Sequence, residues 1–140
     1  MTPSSIVDVM MEKDRFSQWL GISRLEESAG SCKLQMTVRP EMCNGFEITH
    51  GAITYALADS ALAFASNSHG RKSLSIETSI SHIKSVKTGD ILTATAEEKS
   101  LTNRLAIYEV TVTNQNNEIV ALYKGTVFRK DETWKPKEEE

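Results

Sequence analysis

The chain has 140 residues, of which 39% are hydrophobic and 25% are charged, and its formal net charge is -3. This length fits one domain, and no run of about 18 apolar residues is present that would cross a bilayer. The negative charge provides no basic surface for a nucleic acid duplex. Neither nucleic acid nor a membrane is therefore expected as a partner.

The N-terminal region predicts a short helix over residues 6–20 with a turn at Gly21, because apolar and charged positions alternate there with helical spacing. Residues 1–15 carry acids and no continuous apolar run, so they resemble neither a signal nor a transit peptide. Cys32 and Cys43 lack the spacing of metal ligands and are expected to be free thiols. A cytoplasmic protein without a metal or other cofactor is predicted.

The central part of the chain predicts one strand followed by one long helix. Apolar residues alternate over residues 32–38, and Pro40 ends this strand. The helix is predicted to begin at His50 or Gly51 and to end near Gly70. Apolar residues also occupy its other faces, which indicates that protein surrounds it. Its main helical repeat consists of Ile53, Ala56, Leu57, Ser60, Ala61 and Phe64.

The remainder of the chain has only strand patterns, and turn residues at 88–90 and 114–117 predict an antiparallel meander. The predicted strands are residues 74–82, 91–99, 105–113 and 118–128. Residues 129–140 are rich in Lys and Glu, which predicts a solvated charged tail after a single domain over residues 1–128. One strand before the helix and four after it predict an α+β fold, with the sheet wrapped around the helix.

A single carboxylate, Asp59, interrupts the apolar helix nine residues after His50. Burial of an ionised carboxylate without a partner is costly, so an acid at a core-like position requires a specific reason. Catalysis is one such reason.

The segment NGFEITHGA at residues 44–52, followed by ADSA at residues 58–61, resembles the hotdog-fold acyl-CoA thioesterases of the phenylacetic-acid-degradation (PaaI) type. The resemblance covers about residues 14–128 and includes the segments at 89–96 and 120–125. It implies a hotdog fold and hydrolysis of acyl-CoA to a free acid and coenzyme A. It also implies phenylacetyl-CoA or hydroxyphenylacetyl-CoA as the substrate type, and a homodimer that pairs into a homotetramer.

The same resemblance implies an active site formed by Asn44, His50, Gly51 and Asp59. The family usually has a second glycine at the position of Ala52, but an alanine keeps the backbone N–H. Asn44 is expected to orient water or the carboxylate, and His50 to brace the loop. Ser75 is a further substrate-binding candidate, since it resembles a polar active-site position in relatives.

The spacing of two of these residues predicts a second subunit in the site. The Gly51 N–H at the start of the helix is an unpaired donor that favours negative charge on a carbonyl oxygen. Gly51 and Asp59 are eight residues apart, which is roughly 12 Å along a helix. They are too far apart to act on one carbonyl, so Gly51 is expected to work with Asp59 of another subunit in an obligate dimer.

The phosphates of coenzyme A require cations, for which Lys84 and Arg104 are the candidates. Asp59 acts either as general base for water or as a nucleophile that forms an anhydride, and the sequence leaves both open. Two alternative functions also remain: a non-catalytic acyl-CoA-binding protein and a hotdog dehydratase.

Overall fold

The computed structural model describes residues 1–136, which form three helices, one 3-10 turn and six strands. The helices are α1 (Pro3–Lys13), α2 (Arg15–Leu20) and α3 (Gly51–Asn67). The strands are β1 (Ser23–Ser28), β2 (Ser31–Thr37), β3 (Arg71–His82), β4 (Ile91–Leu101), β5 (Leu105–Thr113) and β6 (Ile119–Thr133). The 3-10 turn is Pro40–Met42.

The six strands form one antiparallel sheet in the order β1-β2-β4-β5-β6-β3. Helix α3 packs across the inner face of this sheet against β2, β3, β4, β5 and β6. The short helices α1 and α2 cover another side of α3. The predicted α+β architecture, a sheet wrapped around one long helix, is confirmed.

Helix α3 begins at Gly51, as predicted, and its apolar repeat forms the centre of the core. Leu57, Ala61 and Phe64 are fully buried. The sheet approaches the helix closely at Gly125, where a Cβ atom would lie 2.5 Å from Cδ2 of Leu62. A larger residue at position 125 would therefore push the helix away from β6.

The leading segment is two helices instead of the single helix predicted over residues 6–20. Asp14 ends α1 and also caps α2, where its Oδ1 accepts a hydrogen bond of 3.0 Å from the N–H of Ser17. An aspartate is a strong N-cap residue, and this local hydrogen bond explains the break. The turn predicted at Gly21 is present, with a φ of 76°.

Two further differences concern the ends of the sheet. Strand β1 was not predicted, because it lacks a buried apolar face: Leu25 is 47% exposed. Strand β6 continues to Thr133, five residues beyond the predicted end of the last strand at Phe128. The Nε1–H of Trp134 then donates to Oδ1 of Asn67 at 2.9 Å. The last part of the predicted tail, residues 137–140, lies outside the described residues.

Within residues 1–136, no helix is both long and apolar enough to cross a membrane.

Candidate active site

Asp59 lies on the third turn of α3, at the border between the core and a surface groove. Its side chain is half-buried, so the fully enclosed acid that the sequence indicated is instead open on one side. The groove has a volume of about 340 Å³ and is lined by α3 and by the start of α2. Its lining residues are Asp14, Phe16, Ser17, Ala52, Tyr55, Ala56, Asp59, Ser60 and Ala63.

The buried side of the carboxylate is held by a tyrosine from the sheet. The hydroxyl of Tyr123, on β6, donates a hydrogen bond of 2.7 Å to Oδ1 of Asp59. Among the described residues this is the sole hydrogen-bond partner of the Asp59 side chain, and no ion pair there includes Asp59. One carboxylate oxygen is therefore anchored, and the other has no partner within residues 1–136.

Tyr123 is itself tightly surrounded, since only 2% of its surface is exposed. Burial, together with the hydrogen bond to Asp59, raises the pKa of the Tyr123 phenol well above its usual value. The ring packs edge-on against Tyr55, with 5.4 Å between ring centroids, and the Tyr55 hydroxyl is paired with Oγ1 of Thr78. Tyr123 therefore stays protonated and donates to Asp59.

The start of α3 lies close to a histidine from the end of β3. A Cβ atom at Gly51 would lie 2.9 Å from Nε2 of His82, so a larger residue would have to displace the end of this side chain. Gly51 is exposed, and as the first residue of the helix its N–H has no intrahelical acceptor. The structure thus leaves a donor at the positive end of the helix dipole open to a ligand.

The loop that leads into α3 is fixed by its own hydrogen bonds. Oδ1 of Asn44 accepts from the N–H groups of Phe46 and Ile48 at 2.9 and 3.3 Å, so this side-chain oxygen stabilises the turn. The Nδ2 amide group has no partner within residues 1–136 and remains available as a donor. His50 is exposed, and its backbone N–H donates to the carbonyl of Met42 at 3.0 Å.

In one subunit these groups belong to two separate grooves. Gly51 lines a second groove, also of about 340 Å³, together with Thr54, His82 and Lys84. Asp59 is not part of this groove and lies roughly 12 Å along α3 from Gly51. The structure therefore brings Lys84 close to Gly51, but it does not bring Asp59 to either of them.

The other predicted binding residues are widely spread. Ser75 is exposed on β3, which is an edge strand. Lys84 pairs with Glu118 beyond the end of β3. Arg104 lies at the opposite end of the sheet, where it pairs with Asp131 at 2.9 Å. The backbones of Lys84 and Arg104 hydrogen bond to residues 120 and 129 respectively, which are roughly 30 Å apart along β6.

Sequence reasoning missed three residues of this region. Tyr123 and Asp59 are 64 positions apart, so only the fold joins them. His82 ends one of the predicted strands, and nothing near it in the sequence indicates that it packs on Gly51. Phe16 lies within the leading helix predicted over residues 6–20, and in the structure it is 55% exposed and lines the Asp59 groove. The alternation of β6, with Ala121 and Tyr123 facing inward, was the available signal for Tyr123.

Comparisons with known proteins agree with this architecture. Residues 46–121 match the thioesterase superfamily, and the chain therefore belongs to this family, with the hotdog fold and as a thioester hydrolase. The chain is 33% identical to the acyl-coenzyme A thioesterase PaaI of Escherichia coli, over 86% of each protein. A solved structure of the E. coli PaaI protein, from the phenylacetic acid degradation operon, superposes with a TM-score of 0.91, covering 94% of this chain and 95% of that one, at 31% identity.

Two further relatives extend this comparison. The chain is 40% identical to the "Putative esterase" of Archaeoglobus fulgidus, over 94% of this chain and 85% of that protein. It is also similar to the protein smu.793 of Streptococcus mutans, solved bound to acetyl CoA, with a TM-score of 0.76 and 26% identity. That match covers 78% of this chain and 88% of the other. The predicted family resemblance is confirmed.

Proposed function

We propose that this protein hydrolyses acyl-CoA thioesters to a free acid and coenzyme A, at a site shared by two subunits. In this site Asp59 of one subunit faces a thioester whose carbonyl oxygen lies on the Gly51 N–H of the other. The observation that carries the proposal is the Asp59 carboxylate, which is anchored through one oxygen and unpartnered through the other at the edge of a groove.

The chemistry follows from these two groups. The Gly51 N–H stabilises the negative charge that develops on the carbonyl oxygen during attack. In the general-base route Asp59 removes a proton from water as the water oxygen bonds to the carbonyl carbon, and the C–S bond then breaks. The sulfur leaves as the thiolate of coenzyme A and takes up the proton. In the nucleophilic route Asp59 itself attacks the carbonyl carbon and the C–S bond breaks, which releases the coenzyme A thiolate and leaves an anhydride. Water then hydrolyses this anhydride to the free acid and the regenerated Asp59 carboxylate, and the thiolate takes up the proton.

The free edge of β3 supports a second copy of the chain as the other half of the site. A twelve-residue edge strand presents unpaired N–H and C=O groups, and here it also exposes Leu74 at 55% and Ile76 at 60%. Antiparallel pairing of two such edges would join the sheets and place the Arg104 end of one subunit beside the Lys84 end of the other. Dimers of this kind would pair into tetramers, and cations from both subunits would hold the phosphates of coenzyme A.

The proposed acyl group is aromatic, of the phenylacetyl or hydroxyphenylacetyl type. Similarity to PaaI of E. coli supports this class, and so does the groove beside Asp59. Two aromatic side chains, Phe16 and Tyr55, wall this groove, and small residues such as Ala56 and Ala63 leave room between them. Asn44 and Ser75 are proposed to contact the substrate across the interface. The cytoplasmic location stays a prediction from the sequence.

The reaction is tested by thiol release from a panel of aryl and aliphatic acyl-CoA esters. We expect turnover, with phenylacetyl-CoA and its hydroxylated forms having the highest kcat/KM. Tight binding of acyl-CoA without thiol release would contradict hydrolysis. Water loss from a 3-hydroxyacyl-CoA without free thiol would instead identify a dehydratase.

The shared site is tested by mixing two inactive variants. Asp59→Asn removes the carboxylate, and Gly51→Val fills the space against His82 and blocks the oxyanion donor. Neither variant alone should turn over, but co-refolded protein should recover about a quarter of wild-type activity, because half of randomly paired dimers are mixed and each has one intact site. No recovery in mixed dimers that are shown to form would contradict a site built from both subunits.

A further inference from the structure

Two tyrosines of this chain donate from the sheet to a carboxylate, and only one of these carboxylates belongs to the proposed site. Tyr123 on β6 donates to Asp59 at 2.7 Å, and Tyr108 on β5 donates to Glu98 at 2.7 Å. Both rings are buried, with 2% and 0% of their surface exposed. Glu98 has a second partner, since Nε2 of His69 lies 2.6 Å from the same oxygen. Asp59 has Tyr123 alone among the described residues.

We propose that Tyr123 is the positioning residue of the reaction, which fixes Asp59 through Oδ1 so that Oδ2 is the oxygen that takes the proton or attacks the thioester. This inference rests on the proposed function, because it states which oxygen of the Asp59 carboxylate reacts in the proposed hydrolysis. It adds a group that contacts the carboxylate but is not among the residues that line the groove.

The geometry favours this role for three reasons. A carboxylate on a flexible side chain reaches its reactive position more often when one oxygen is already hydrogen-bonded. The bond comes from a ring that is itself fixed, because Tyr123 packs edge-on against Tyr55 and Tyr55 is paired with Thr78. Finally, the phenol remains protonated, since burial and the carboxylate both oppose its ionisation.

Tyr123 is not expected to touch the substrate, since its ring is buried and is not among the residues that line the Asp59 groove. Loss of its hydroxyl should therefore affect the rate of the chemical step and leave binding unchanged. Hydrogen bonds to charged groups are worth enough that kcat should fall about 10- to 100-fold in Tyr123→Phe, with KM within about twofold of wild type.

Tyr108→Phe is the matched control. It removes an equally buried hydroxyl that makes an equally short bond to a carboxylate on a neighbouring strand, so the two variants should lose similar stability in thermal unfolding. Only Tyr123→Phe should lose kcat. A Tyr123→Phe protein with the kcat of Tyr108→Phe overturns the inference, and so does a loss that appears entirely in KM.

Asp59→Asn, measured in the same assay, separates this inference from the proposed function. If Asp59→Asn is inactive and Tyr123→Phe is fully active, the positioning role fails and the catalytic carboxylate remains. If Asp59→Asn retains wild-type turnover, the proposed role of Asp59 fails, and the positioning role fails with it. If all three variants behave as expected, both stand.

A second measurement does not depend on folding of the Tyr123 variant. The chain has three tyrosines, so fluorotyrosine labelling gives three fluorine resonances, which Tyr55→Phe and Tyr108→Phe assign. Replacement of Asp59 by Asn should shift the Tyr123 resonance and leave that of Tyr108 in place. An unchanged Tyr123 resonance would overturn the contact on which the inference rests.

Discussion

The two edges of the sheet differ in a way that bears on where the proposed second subunit would bind. Helix α1 contacts strand β1, and Arg24 of this strand pairs with Asp8 at 2.6 Å and with Glu27. Strand β3 contacts α3 through its inner face and has an ion pair between Lys72 and Glu132 near its start, and it exposes Leu74 and Ile76. Edge strands protected by charge resist pairing with other chains, whereas exposed apolar edges promote it. This difference favours the β3 edge over the β1 edge for the proposed association.

The largest effect is expected from a charge placed on the β3 edge, and it tests the difference between the two edges. Ile76→Lys places an ammonium group where the apolar edge is proposed to meet its copy, so we expect monomers and a loss of kcat/KM of about 100-fold or more. Analytical ultracentrifugation measures the first and thiol release the second. The loss of activity follows because a monomer has Asp59 and Gly51 in separate grooves.

Leu25→Lys is the control for this prediction, since Leu25 is 47% exposed on β1. It should leave both mass and turnover unchanged. An active monomer of Ile76→Lys would show that one subunit suffices for the reaction. Dissociation by Leu25→Lys would show that the association edge had been assigned to the wrong strand.

A second effect concerns how the β3 edge is held in place. Asn67, at the end of α3 and only 3% exposed, donates to the carbonyl of Ser73 and accepts from the N–H of Ser73 and from Trp134. Asn67→Ala leaves these buried groups without partners, so the free energy of unfolding should fall by about 2–4 kcal/mol in urea denaturation. Asn103→Ala, at an exposed turn, should change it by less than about 0.5 kcal/mol. Equal stability of the two variants would contradict the conclusion that Asn67 holds the β3 edge in place through these hydrogen bonds.

The parts of this molecule that the sequence predicted are those with a local signal. The apolar sequence of α3 follows from burial on most of its faces and the alternation of β5 from burial on one face, and Leu105–Thr113 was predicted to the residue. Strand β1 has no such signal, because an edge strand covered by one helix needs few apolar residues. Its existence depends on pairing with β2.

The candidate site shows the same division. Asp59 and Gly51 were found from residues near them in the chain, through the apolar helix around the acid and the helix start. Tyr123 and His82 contact them only because β6 and β3 fold back over α3. The sequence also treated Lys84 and Arg104 as one pair of cations, whereas the sheet separates them to its two ends. Contacts between distant segments require the fold itself.

The smallest expected effect concerns Lys84 and Arg104. It tests whether both cations lie at the β3 edge that is proposed to associate. Lys84 and Arg104 are exposed and paired with Glu118 and Asp131, so each contributes only a screened contact to a phosphate. Lys84→Ala and Arg104→Ala should each raise KM about two- to fivefold with kcat unchanged, and the difference from wild type should shrink as salt increases.

Lys33→Ala provides the comparison from the β1 side, since Lys33 pairs with Glu26 at 3.7 Å and lies away from both grooves. Its KM should equal that of wild type at every salt concentration. If only Lys84→Ala has an effect, the phosphates are held by the subunit that supplies Gly51, because Lys84 lines the same groove. If both variants act and the double variant multiplies their effects, cations from the two subunits hold one coenzyme, which is the arrangement that antiparallel pairing of the β3 edges produces.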